Sequence, residues 1–263
     1  MTVTPLVRPL AHGTLVPRPT ERQMRILSFA IKNMMPPLHQ NLLLAFCGPP
    51  GCGKTYLAQY LVALGVSRGM WTRSQSITTA LQAVRCQTLR GNHLHAMFGW
   101  IPGVKMSFQK YVGQARDNMT DRNREKIRSA RILVIDEMTQ LDAIQMRAMS
   151  KILSDLRLDP LPFGGLHVIV TIDYLQLGPV ENNSCVFDSD FLNHFLVADL
   201  FGSTDDLHRA ITPELREAIM LWRTHFTSVR TRLRAAQPVA AIFSGASRHK
   251  SYADAVNYVV GRG

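Results

Sequence analysis

The stretch "LLLAFCGPPGCGKTYLAQYLVALGV" at 42–66 constrains what this chain can fold into more than any other feature. An apolar run of strand length enters a glycine-rich loop, and the loop opens directly into a helical pattern. Strand, loop and helix in that order form the context that a phosphate-binding loop requires. Gly48, Gly53, Lys54 and Thr55 satisfy the pattern G-x-x-x-x-G-K-[ST]. Glycines let the backbone curl so that its N–H groups point inward at phosphate oxygens, helped by the positive end of the following helix. The candidate ATP-binding set is therefore Gly48, Pro49, Pro50, Gly51, Cys52, Gly53, Lys54 and Thr55. Lys54 is placed to reach the β and γ phosphates during catalysis, and the Thr55 hydroxyl to ligate Mg2+.

A second motif, "ILVIDEMTQLD" at 132–142, supplies carboxylates. Asp136 falls at the carboxyl end of an apolar strand, where ligands bind in open α/β sheets. There it can hold Mg2+ beside Thr55, and Glu137 is placed to polarise an attacking water. Read alone, such an acidic pair serves equally to cap the helix that follows. Combined with the loop some eighty residues earlier, it reads as a site that hydrolyses a nucleoside triphosphate.

The rest of the chain fits an α/β class. "TERQMRILSFAIKNMM" (20–35) has apolar residues at helical spacing, Thr20 and Gln23 form a capping-box pattern, and Pro36 and Pro37 end it. "RILVID" (131–136) and "LHVIVTID" (166–173) are further continuous apolar strands, the first followed by a helix through "AIQMRAMSKILSDLRL". Strands apolar on both faces and alternating with helices predict a mainly parallel sheet covered on both sides. The polar, basic region around 105–130 reads as helices and loops between core strands. Past residue 200 the chain reads as helical and Arg-rich. The expected division is a proline-rich arm over 1–19, a nucleotide domain over 20–200 and a helical segment over 201–263.

Composition narrows the setting. No apolar run is long enough to span a membrane, and the first twenty residues lack a signal peptide's apolar stretch, so an intracellular protein is expected. Cys47, Cys52, Cys86 and Cys185 form neither a CxxC pair nor a zinc spacing, and reduced thiols are expected. The net charge is +11, and it is distributed unevenly. Residues 68–131 carry twelve basic and three acidic side chains, whereas residues 132–200 carry three and ten. A basic block beside an acidic one suggests a polyanion surface next to a carboxylate-rich catalytic edge, although a solvated face with no partner gives the same count.

The segment "PFGGLHVIVTIDYLQLGPV" (162–180) narrows the family. Gln176, just past a strand end, is placed to sense a γ-phosphate, while an ordinary solvent-facing glutamine gives the same pattern. The segment resembles the PFGG and GDFxQLPPV signature of the PIF (petite integration frequency) family of DNA helicases, relatives of RecD-like superfamily 1 helicases. "ILVIDEMTQLD" is similar to that family's IDExSMxD motif, and "LRGNHLHAMFGW" (89–100) resembles its G-x-T-L-H-S-F-x-G segment.

The resemblance implies a RecA-like ATPase domain that couples Mg2+-dependent ATP hydrolysis to movement on single-stranded DNA or DNA junctions, and a nuclear protein if the source is eukaryotic. It also implies that Gln23 reads adenine, that Gln176 contacts the γ-phosphate, and that His95 and Phe98 lie near the DNA. From the residues alone, His93 and His95 read more readily as loop or core histidines than as DNA contacts, while Phe98 and Trp100 suit the core equally well.

The chain departs from the family pattern in places. "GPPGCGKT" is also common in AAA-type ATPases, and "SITTALQAV" (76–84) lacks the family's A-P-T-G-x-A-A. No T-x-H-K-x-Q-G segment of a second motor domain occurs before Gly263, which leaves Arg209 and Arg223 as weak candidates for a transition-state arginine. Two other readings are therefore an AAA-type loader and a nucleotide-gated DNA-binding remnant that does not hydrolyse.

Overall fold

The computed structural model describes residues 18–35, 41–104, 106–173 and 194–201. Six strands form one sheet in the order β3-β2-β4-β5-β1-β6, every neighbouring pair parallel. They are β1 Leu43–Cys47, β2 Ser76–Ala80, β3 Asn92–His93, β4 Ile132–Asp136, β5 His167–Ile172 and β6 Leu196–Asp199. Seven described α-helices accompany them: α1 Glu21–Met34, α2 Lys54–Ser67, α3 Ala83–Leu89, α4 Leu94–Phe98, α5 Phe108–Asn118, α6 Asp121–Ser129 and α7 Ala143–Arg157.

The central strands are apolar on both faces because each face has its own core. Leu44, Phe46, Ile132, Val134 and Ile169 pack with α1, α2 and Trp71. Leu43, Ala45, Leu133, Ile135, Val168 and Val170 pack with α4 to α7. Alternation with a period of two sends successive residues of one strand to opposite cores, so both must be apolar. Gly65 on α2 shows how closely one layer fits, since a Cβ there would lie 1.9 Å from the Trp71 ring.

The expected α1, β1, α2, β4, α7 and β5 are present close to their predicted limits, while the expected arm before residue 18 and the helical segment past residue 201 lie outside the described residues. Thr20 and Gln23 form the capping box of α1, and Asp142 with Gln145 forms another at the start of α7. Three strands carried too little signal to be identified beforehand. β2 (SITTA) is polar for an interior strand, β3 has two residues, and β6 (LVAD) has four. Among the described residues no helix is long and apolar enough to cross a membrane. Cys47, Cys52 and Cys86 are buried and form no disulfide among the described residues, and Cys185 lies outside them.

The PFGG turn sits at the amino end of β5, so it is about 20 Å, the length of that strand, from the phosphate loop. Its backbone is left-handed at Phe163, Gly164 and Gly165. A Cβ on Gly164 would meet the Leu153 carbonyl oxygen at 2.6 Å. Arg157, at the end of α7, binds the turn through the Gly164 carbonyl at 2.5 Å. The same guanidinium donates to the carbonyls of Ile127, Arg128 and Ala130 at the end of α6, at 3.0, 3.2 and 2.7 Å. This motif therefore clamps two helices to a strand.

Candidate nucleotide and metal site

The phosphate loop leaves β1, the strand held between β5 and β6, and ends at α2. Its glycines adopt backbone angles that side chains resist: φ is +151° at Gly48, +89° at Gly51 and +87° at Gly53. A Cβ on Gly48 would stand 2.7 Å from the Cys52 sulfur, so the loop's curl excludes one. Lys54 is buried and turns back over the loop, its ammonium donating to the Gly48 and Pro49 carbonyls at 2.8 and 3.0 Å. Burial pushes the Cys52 thiol up, against the pull of Lys54, which keeps it a neutral part of the loop wall.

The carboxylates come from β4, two places along the sheet from β1. Thr55 donates its hydroxyl to Asp136, 3.0 Å from Oδ1 and 3.3 Å from Oδ2. Thr171, on the intervening strand β5, donates to Asp136 Oδ1 at 2.7 Å and accepts the Glu137 amide at 2.9 Å. Asp136 and Thr171 are 1% exposed, which makes these bonds a fixed frame. A hydroxyl and a carboxylate at this separation form an oxygen-only donor pair. That pair fits Mg2+, which takes one or two protein oxygens and completes its shell with phosphate and water. Among the described residues no cluster of three His, Cys, Asp or Glu side chains competes as a metal site.

Glu137 has a left-handed backbone, φ 57° and ψ 48°, which turns the chain sharply at the strand end. Its Oε1 accepts from Arg85 of α3 at 3.1 Å, while Oε2 is buried with no hydrogen-bond partner among the described residues. Burial raises its pKa, the neighbouring Asp136 charge adds to the rise, and Lys54 and Arg85 oppose it. A carboxylate at a strand end beside a cation-binding pair is a candidate proton acceptor.

The other anticipated residues fall as follows. Gln23 is 3% exposed and spans two elements: Oε1 accepts the Thr20 amide at 3.1 Å, and Nε2 donates to the Cys52 carbonyl at 3.3 Å. Phe98, which the family resemblance places near DNA, is fully buried instead and stacks on Trp100 with ring centroids 5.1 Å apart, the core position its residue type equally allows. Its place on the inner face of α4 decides this, since Leu94, Met97 and Phe98 fall at the i, i+3 and i+4 spacing of one buried helix face. His95 is partly buried beside His93 and Trp100, and its Nε2 lies 3.5 Å from Gln145 Nε2 at the start of α7. Burial lowers its pKa, with His93 adding to the effect. Gln176, Arg209 and Arg223 lie outside the described residues.

Two site residues were not anticipated. Thr171 was visible as the one hydroxyl in an apolar strand, "HVIVTI". Arg85 gave no sign, because its role depends on where α3 rests.

The sheet, loop and acidic strand end define a RecA-like phosphate-loop domain. A family model described as PIF1-like helicase matches residues 20–189, well over half of the 263-residue chain, and the chain belongs to that family. ATP-dependent DNA helicase Pif1 of Psychrobacter sp. is 28% identical over 134 residues, which cover 51% of this chain and 19% of that protein. ATP-dependent DNA helicase PIF1 of Mus musculus is 27% identical over 182 residues, covering 68% of this chain and 25% of that one.

Among solved structures, the Bacteroides Pif1 helicase in complex with ADP-AlF3 and single-stranded DNA matches with TM-score 0.60 at 20% identity, over 81% of this chain and 48% of that one. The Pif1 helicase of Candida albicans matches with TM-score 0.58 at 20% identity, over 69% and 40%. Both share the fold. The chain thus spans a quarter or less of the length of these curated relatives, and under half of these two structures.

Proposed function

We propose that this chain carries the ATP-hydrolysing domain of a DNA helicase, coupling hydrolysis to movement along single-stranded DNA. The observation that carries the reading is the frame in which Thr171 ties Asp136 and Glu137 together while Thr55 reaches across to Asp136. It sets a cation-binding pair and a candidate base at one strand end, beside a loop curled for phosphates.

In the proposed reaction the loop amides and Lys54 hold the triphosphate, Lys54 exchanging the Gly48 and Pro49 carbonyls for phosphate oxygens. Thr55 and Asp136 hold Mg2+, which when bound neutralises charge on the β and γ phosphates. Glu137 orients a water and accepts its proton as the water oxygen attacks the γ-phosphorus and ADP leaves. Gln176 is proposed to sense the γ-phosphate. The basic residues between 68 and 131 would track the phosphates of a strand or junction, the interaction that supplies most sequence-independent affinity. Family resemblance implies 5′-to-3′ movement.

The test is steady-state ATP turnover with and without a single-stranded oligo(dT). Strong stimulation of the wild type supports the reading. Lys54→Ala is expected to abolish nucleotide binding or turnover, and Glu137→Gln to bind ATP but hydrolyse at least about a hundredfold more slowly. Turnover indifferent to DNA points to a loader-type ATPase, and binding without turnover to a remnant. Normal turnover by Glu137→Gln removes that residue from the chemistry.

A further inference from the structure

The contact between Arg85 and Glu137 carries a consequence for how hydrolysis is switched on. Glu137 Oε1, among the described residues the one oxygen of the candidate base with a hydrogen-bond partner, is held by a guanidinium 3.1 Å away. A carboxylate so engaged is oriented toward the arginine and away from a water. The ion pair is lopsided in exposure: the Glu137 side chain is 8% exposed and that of Arg85 26%. Only the arginine can be reached from solvent. Among the described residues its single hydrogen bond is to Glu137, so four of its five N–H donors remain for another anion.

The helix bearing Arg85 is lightly tied to the rest of the domain. Its apolar contacts form a separate cluster of three residues, Ala80, Cys86 and Leu89, outside both principal cores. Its N-cap Gln82 makes no side-chain capping bond, and its exit passes through Arg90 in the left-handed conformation. The following Gly91 is pressed so closely on β2 that a Cβ would lie 2.4 Å from the Thr78 carbonyl oxygen, which anchors the chain directly after the helix. A small rotation of α3 about that anchor would withdraw Arg85 without disturbing either main core.

We propose that Arg85 is a latch on Glu137, closed by their ion pair and opened when a backbone phosphate of single-stranded DNA takes the guanidinium. Arginine suits this exchange because its planar donors match carboxylate and phosphate alike. With the latch closed, Glu137 is withheld from water and turnover is slow. With it open, the carboxylate is free to turn toward a water. Arg85 thus acts as a positioning residue through Glu137. The inference rests on the hydrolytic reading above, and the experiment separates the failure of one from the failure of the other.

Turnover of ATP by wild type, Arg85→Ala and Arg85→Lys is measured with and without oligo(dT), resolving kcat from KM. The latch predicts that Arg85→Ala raises the DNA-free kcat about fivefold, leaves KM for ATP unchanged and brings the ratio of rates with and without DNA close to one. Arg85→Lys, which restores the ion pair, should return both values toward wild type. If Arg85→Ala fails to fold, Arg85→Gln serves in its place with the same expectation.

A DNA-free kcat at or below wild type overturns the latch. A raised KM alongside it would show the guanidinium acting on the nucleotide instead. Wild-type turnover that oligo(dT) does not change overturns the release step. If the wild type is stimulated by oligo(dT) and Arg85→Ala is stimulated equally, the latch alone falls. If no protein turns over ATP, the hydrolytic reading and the latch fall together.

Discussion

Thr171 gives its hydroxyl proton to Asp136 across 2.7 Å, from the strand that separates the acidic strand end from the phosphate loop. The same oxygen accepts the Glu137 amide at 2.9 Å, so one side chain fixes both acidic residues. Thr171→Val keeps the shape and removes both bonds, leaving the Glu137 amide buried without a partner. The expected cost is about 2 kcal/mol of stability, seen as a lower urea midpoint. Turnover should fall about tenfold through misplacement of the two carboxylates. Thr171→Ser should retain most of both. Unchanged turnover in Thr171→Val would show that Asp136 and Glu137 hold their geometry without it.

Arg157 predicts the opposite pattern, a loss of stability with the chemistry spared. Its four carbonyl acceptors belong to the PFGG turn and to the end of α6, whose last carbonyls lack partners within the helix. A lysine cannot span both groups, so Arg157→Lys should cost about 2 kcal/mol and Arg157→Ala about 3 kcal/mol in urea unfolding. The clamp lies at the far end of β5 from the phosphate loop, so KM for ATP should not move in the folded fraction. A rise in KM with unchanged stability would contradict the assignment of this motif to scaffolding.

How far the sequence could be read follows from how local each signal is. The phosphate loop, the capping box at Thr20 and Gln23, and the β4 and β5 strands are set by neighbours along the chain, and they were legible. β2 was not, because "SITTA" owes its interior place to flanking strands; the Thr79 hydroxyl, for instance, is satisfied by the Val134 carbonyl of β4 at 3.0 Å. The site divides in the same way. Lys54, Thr55, Asp136 and Glu137 are marked by motif, whereas Arg85 reaches Glu137 across 52 positions of sequence and carries no local mark. In the sequence Phe98 stays open between core and DNA contact, because an aromatic residue in such a stretch looks alike whether it stacks on a base or on Trp100.

His167 gives a pH dependence with a definite sign. Its Nδ1 accepts the Leu42 amide at 3.1 Å, which requires the neutral ring at that nitrogen. Burial, aided by the Arg131 charge, pushes its pKa down to about 4. The unfolded chain has the ordinary value of about 6.5 and so binds the proton first as pH falls. Stability from this residue is therefore full above about pH 6.5 and is lost progressively toward pH 4. Urea midpoints measured across that window should fall for wild type, and His167→Leu should remove part of the slope while lowering stability at neutral pH. A slope unchanged in His167→Leu would place the titration elsewhere.

Gln23 offers the sharpest test of how the loop is held. Both ends of its amide are engaged, one closing the cap of α1 and the other holding the Cys52 carbonyl inside the phosphate loop. A side chain that reads adenine alone would change the preference among nucleotides. A tie between helix and loop would instead affect every triphosphate equally, because the loop contacts phosphates common to all. Gln23→Ala should therefore cost about 1 kcal/mol through the lost cap partner and raise KM for ATP and GTP by a similar factor, about threefold to tenfold. Nucleotide titrations on the variant decide the matter. A loss confined to ATP assigns the residue to adenine, and an equal loss assigns it to the loop, where Cys52 would no longer be anchored to the start of α1.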